Sequence, residues 1–165
     1  MKERLKGMSS YVNFYLRANE IFAPIGSYSR SSEVYKAIDK YVGYNELVSL
    51  TPEIFNDVIQ EVEEKIARMR KRRAVDENRI RLIMDSANST MDEKLQAVND
   101  IECNFEEMDA YVDELNFAAD VMRVFINMID AYEYGGDGGL DNDPNHYIYA
   151  GIDAIGSMEY VVDKE

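Results

Sequence analysis

Residues 51 to 134, more than half of the chain, place apolar side chains in alternating steps of four and three. A long helix pairing with a second helix satisfies that spacing, and a strand does not. The first run opens with Thr51 as N-cap, Pro52 at the first helical position and Glu53 behind it. It continues through Phe55, Ile59, Val62, Ile66, Met69, Arg73, Asp76, Ile80 and Ile83, a seam that is apolar at both ends and polar in the middle. A polar turn over 85–90 follows, and Thr90 with Glu93 stand at the spacing of a capping box. The second row then runs Met91, Leu95, Val98, Ile101, Phe105, Met108, Val112, Leu115, Ala119, Met122, Ile126 and Ile129. Consecutive three-residue steps around Val98 and Ile101 interrupt its alternation, which is expected to overwind the pair locally. The pattern predicts a long antiparallel, coiled-coil-like helical hairpin, with helices on the order of 50 to 65 Å long.

From Tyr111 a second stripe appears: Tyr111, Leu115, Ala118, Val121, Phe125, Met128 and Tyr132. One partner helix cannot cover so wide an arc, so the base of the hairpin must pack on something else while its tip projects. The flanking segments supply the material. Ser10 to Arg17 and Ile21 to Ile25, both rich in β-branched and aromatic residues, read as a β-hairpin, with Pro24 placing the second strand at an edge or ending it early. Gly26 to Arg30 reads as a turn, and Ser32 to Val42 as a short helix capped by Ser31 and stopped at Gly43. Tyr44 to Leu50 fits a short helix or a strand. Gly135 to Asn145 is a loop by composition; Tyr147 to Ile152 and Met158 to Val162 read as strands returning to the N-terminal sheet, although Asp143-Pro144 would also suit a helix start. The expected fold is α+β and a single domain over 1–165: a β-hairpin and short helix (8–50), the helical hairpin (51–134), a Gly/Asp loop (135–145) and C-terminal strands (146–165), with the small antiparallel sheet at the hairpin's base.

Charge is placed unevenly. Met1 to Arg81 holds 15 basic and 12 acidic residues, net +3; Leu82 to Glu165 holds 3 and 20, net −17, within a total of −14. A surface of that sign repels nucleic acid and anionic lipid and attracts basic partners. The basic run Arg68, Arg70, Lys71, Arg72 and Arg73 invites a phosphate-binding reading. A turn centred near Asn88, however, sets it opposite the region of Cys103 to Glu106, with Glu102, Glu106 and Glu107 in reach, so neutralisation within the hairpin is the simpler expectation. Arg73 and Asp76 fit a pair with each other or across to the second helix, as a polar break that fixes register.

Catalytic and metal chemistry find little support. Asp141, Asp143 and Asn145 alternate as the first ligands of a calcium loop do, with Asp137 nearby. His146 stands where that loop needs glycine, though, and Ile152 where it needs a bidentate carboxylate. His146 is the only histidine, and no nucleophile has a recognisable context around it. Lone Cys103 lacks the cationic neighbours that activate a thiol and is expected in the core or at its rim. The glycines of 135–139 lack the following Lys and helix start of a phosphate loop. The expectation is a non-enzymatic protein with no cofactor, no metal, no membrane segment, a cytoplasmic location, and no direct contact with nucleic acid.

The acidic face of the second long helix carries the functional expectation, centred on Asp100, Glu102, Glu106, Glu107, Asp109, Asp113 and Glu114. Such a face reads either as a solubilising coat or as a protein-binding surface, an inhibitor or nucleic-acid mimic that occupies the basic groove of a nucleic-acid-binding partner. Accessory proteins of phages and mobile elements share this size and charge. The alternative is a structural module that oligomerises through its helices.

Overall fold

The structure, a computed structural model, describes residues 10–134 and 147–162. It is an α+β fold. Four strands, β1 (Tyr11–Ala18), β2 (Ile21–Ser29), β3 (Val48–Ser49) and β4 (Ile148–Ile152), form an antiparallel sheet in the order β2-β1-β4-β3. Four helices of the described residues accompany it: α1 (Glu33–Ile38), α2 (Pro52–Met84), α3 (Met91–Glu102) and α4 (Phe105–Tyr134). Helix α2 packs antiparallel to α3 and α4 and makes the hairpin; at its 33 residues it is about 50 Å long.

Local chemistry explains the element starts. Thr51 accepts from the Ile54 amide with Pro52 behind it, and Thr90 accepts from the Glu93 amide, each satisfying one donor that the first turn leaves open. At the tip, Lys94 Nζ donates to the Met84 carbonyl at 3.0 Å and ties the two helices together.

The core lies at the base. Phe125 of α4 meets Phe14 of β1 and Phe55 of α2, with ring centroids 4.6 and 5.7 Å apart, so sheet and both long helices share one apolar centre. Val12, Ile148 and Ala150 face the same side, together with Val34 and Ile38 of α1. Phe22, Leu47, Tyr149 and Ala154 form a second, smaller cluster with Tyr15, Tyr160 and Val161 packed against it. Every residue of β4 is buried, as its unbroken apolar sequence requires for a central strand covered on both faces. Gly151 sits there because a Cβ would run into the backbone carbonyl of Glu46.

Several expectations are corrected. Strand β2 runs on to Ser29 through the expected turn, and Ile25 is absorbed at a bulge where the register shifts between Phe14 and Tyr15. Pro24 is tolerated because β2 is an edge strand. Helix α1 is capped by Ser32, not Ser31, and gives way to a 3₁₀ turn at Asp39–Tyr41. Tyr44 to Leu50 contributes the two-residue strand β3. Met158–Tyr160 is a 3₁₀ turn rather than a strand, because the Ser157 hydroxyl accepts from the Glu159 amide and starts a turn; only the bridge between Leu47 and Val161 remains of the expected pairing.

The second long helix is also interrupted. At Cys103 and Asn104 the chain makes one turn, with Asn104 N–H donating to the Ile101 carbonyl, before α4 begins. The irregular spacing near Val98 and Ile101 is therefore relieved by a break instead of overwinding.

Candidate interaction surface

The seven carboxylates singled out by the sequence divide at this break. Asp100 and Glu102 end α3; Glu106, Glu107, Asp109, Asp113 and Glu114 lie along α4, and all seven are exposed. Glu106 and Glu107 occupy the first turn of α4, where the positive end of the helix dipole favours an anion, so they stabilise the helix as well as charging it. Asp100 and Glu102 have the opposite relation. They sit in the last turn of α3, which holds no basic residue, at the end where the dipole disfavours carboxylates.

Among the described residues, Asp109 alone of the seven is taken up by an ion pair, which it makes with Arg73 of α2. Arg73 also binds Glu77 at 3.1 Å and lies over the Phe105 ring, 4.5 Å from its centroid. Asp109 first, then Glu77, hold its guanidinium more firmly protonated than usual. The expected pairing with Asp76 does not form; Asp76 meets Arg79 at 3.5 Å instead. Nor do Glu102, Glu106 or Glu107 reach the basic run. The partner of Arg73 lies nearly two helical turns beyond the position that the 85–90 turn alone would set, and towards the base Arg123 pairs with Glu63 at 3.1 Å. Internal neutralisation thus holds at Arg73 alone, while Arg68, Arg70, Lys71 and Arg72 are exposed and outside the ion pairs of the described residues.

A second feature lies at the base. Arg30, Tyr35, Asp39, Lys40 and Tyr44 line a cleft of about 320 Å³, where the Tyr35 and Tyr44 hydroxyls stand 3.4 Å apart. Burial, and then the hydrogen bond with Tyr44, push the Tyr35 hydroxyl up to about 12. No sequence motif announces this cleft; Arg30, Tyr35, Asp39, Lys40 and Tyr44 come from one stretch that folds around helix α1 and closes against Ile152 of β4.

The loop with Asp137, Asp141, Asp143, Asn145 and His146 lies outside the described residues. Among the described residues, no group of three His, Cys, Asp or Glu is placed to hold a metal ion. Cys103 is exposed, not in the core or at its rim, because it falls in the helix break; its thiol donates to the Asp100 carbonyl at 3.1 Å. Among the same residues no helix is long and apolar enough to cross a membrane.

Comparison with protein-family models, with curated proteins and with solved structures yields no match. Function therefore rests on the surface itself.

Proposed function

We propose that the chain is a non-enzymatic, cytoplasmic binding protein. Its acidic α3–α4 face occupies a basic surface on another protein, such as the groove in which that protein holds nucleic acid. One observation carries the reading: Asp100, Glu102, Glu106, Glu107, Asp113 and Glu114 are exposed along one stretch of the hairpin with no ion pair among the described residues, and two of them stand where helix electrostatics disfavours them. A solubilising coat needs net charge but no such concentration. Clustered carboxylates on a rigid helix raise the local potential, speed encounter with a cationic partner and penalise wrong partners. Along α4 they stand on two adjoining lines, Glu106 with Asp113 and Glu107 with Glu114, on a helix whose far end is anchored in the buried base.

The test is capture from source-cell lysate by the tagged chain over a salt series, with and without nuclease. Capture of basic proteins should be salt-sensitive and nuclease-independent. It should be lost when Glu102, Glu106, Glu107, Asp113 and Glu114 are changed to lysine with the helical circular dichroism intact. Equal capture by that variant would falsify the reading.

A further inference from the structure

Helix α2 carries a second row at seam spacing: Arg68, Arg72, Val75, Arg79 and Leu82 advance in steps of four, three, four and three, and every one is exposed. Val75 and Leu82 keep 54% and 62% of their surface in water. A solvated face gains nothing from two such apolar side chains placed between arginines. Helix α4 carries a matching row, Glu106, Ala110, Asp113, Phe117, Asp120 and Val124, also in steps of four and three and also exposed throughout. One row is cationic and apolar, the other anionic and apolar.

The rows fit each other in one direction. Laid antiparallel, they set Arg72 against Asp120, Val75 against Phe117, Arg79 against Asp113 and Leu82 against Ala110, so at these four positions charge meets opposite charge and apolar meets apolar; Arg68 against Val124, at the end of the contact, is the one mismatch. Laid parallel with Arg68 against Glu106, they set Val75 against Asp113, Arg79 against Phe117 and Leu82 against Asp120. Sliding the antiparallel pair by seven residues keeps opposite charges together but replaces Phe117 by Ala110 against Val75. Within one chain the rows cannot meet, because the seams of α2 and α4 already face each other through Arg73 with Asp109 and Arg123 with Glu63.

We infer that a second copy of this chain covers the α2 row, its α4 lying antiparallel in the register that puts Phe117 on Val75. A contact between different patches of two copies is head-to-tail, so it closes into a ring or continues as a row of hairpins. Two of the four pairs are exposed charges, so association depends on concentration and weakens with salt. The inference goes beyond capture of a basic partner and does not rest on it, although Asp113 serves both surfaces.

The test is sedimentation velocity on the purified full chain at low salt, with no partner present. Species heavier than the 19.0 kDa monomer should grow with concentration. The variant with Arg72→Glu and Arg79→Glu and the variant with Asp113→Lys and Asp120→Lys should each stay monomeric, with unchanged circular dichroism, and their equimolar mixture should regain association. Wild-type chain that remains monomeric at every concentration overturns the inference, as does self-association that survives either pair of reversals. A mixture no heavier than its separate components also overturns it. So does an α2 row that binds duplex DNA through these arginines while self-association is unaffected by their reversal.

Discussion

Between Thr51 and Ile66 the first long helix buries Phe55, Val58, Ile59, Val62 and Ile66; from there to Met84 it buries no side chain. Its partner shows the same division. Leu115, Ala118, Ala119, Val121, Met122, Phe125 and Ile129 are buried near the sheet, whereas α3 buries only Val98 and Ile101. The near half is held by apolar burial, at about 25 cal/mol per Å². The far half is held by backbone hydrogen bonds, the Thr90 cap, the Lys94 contact with Met84 and a few exposed ion pairs of about 0 to 1 kcal/mol each. The difference teaches where function can reside. A segment that contributes little to folding is free to carry unbalanced charge, and the far half and its junction carry it.

Removing one large side chain from each half is the most severe way to break this comparison. Phe125→Ala should cost about 3 to 5 kcal/mol, because the ring touches both Phe14 and Phe55. Leu82→Ala, 62% exposed, should stay within about 0.5 kcal/mol. Urea unfolding measures both, and similar costs would erase the distinction.

Gly151→Ala probes the base from another direction. Its new methyl meets backbone at Glu46, which cannot rotate away, so a loss of about 1 to 3 kcal/mol is expected, with no effect on the far half. Hydrogen exchange on this variant should accelerate in β4 and leave the amides of α3 unchanged.

Alkaline pH should also act on the base. Tyr35 holds its proton up to about 12 in the fold against an ordinary 10.0, so the stabilisation linked to it is complete below pH 10. It is lost as pH rises from 10 towards 12, since the unfolded chain ionises first. Urea midpoints across that window should fall for wild type and fall less for Tyr35→Phe.

The smallest effect is expected at the middle. A double-mutant cycle on Arg73 and Asp109 should give a small coupling that fades with salt, because both groups are largely in water. A coupling as large as the loss from Phe125→Ala, and insensitive to salt, would mean that the middle of the hairpin is held as firmly as its base.

How much of this was legible in the sequence follows from how local each signal is. Thr51-Pro52 and Thr90 with Glu93 mark their helix starts through bonds to neighbours a few residues away, and both helices begin where those residues predict. The place of β4 between β1 and β3 depends on pairing across more than a hundred residues, which no local pattern encodes. The doubled three-residue step near Val98 located the disturbance but not its outcome, since overwinding and a break both satisfy it. That ambiguity propagated. Without the extra turn at Cys103 and Asn104 the cross-helix register is wrong and sets the basic run against Glu102 and Glu106, whereas among the described residues Arg73 alone of that run finds an ion-pair partner, at Asp109. The acidic face itself was visible, because exposure on a helix follows from its apolar seam. That Asp109 is already engaged was not.

The central claim is that the place of the charge matters, not its sum. The direct measurement compares salt-sensitive capture by two variants of equal net charge. One reverses Glu102, Glu106, Glu107, Asp113 and Glu114 to lysine; the other reverses Glu20, Asp39, Asp57, Glu64 and Glu159, exposed carboxylates outside the α3–α4 face. Loss of capture in the first and retention in the second is the predicted result. Equal loss in both, or equal retention, would contradict the account.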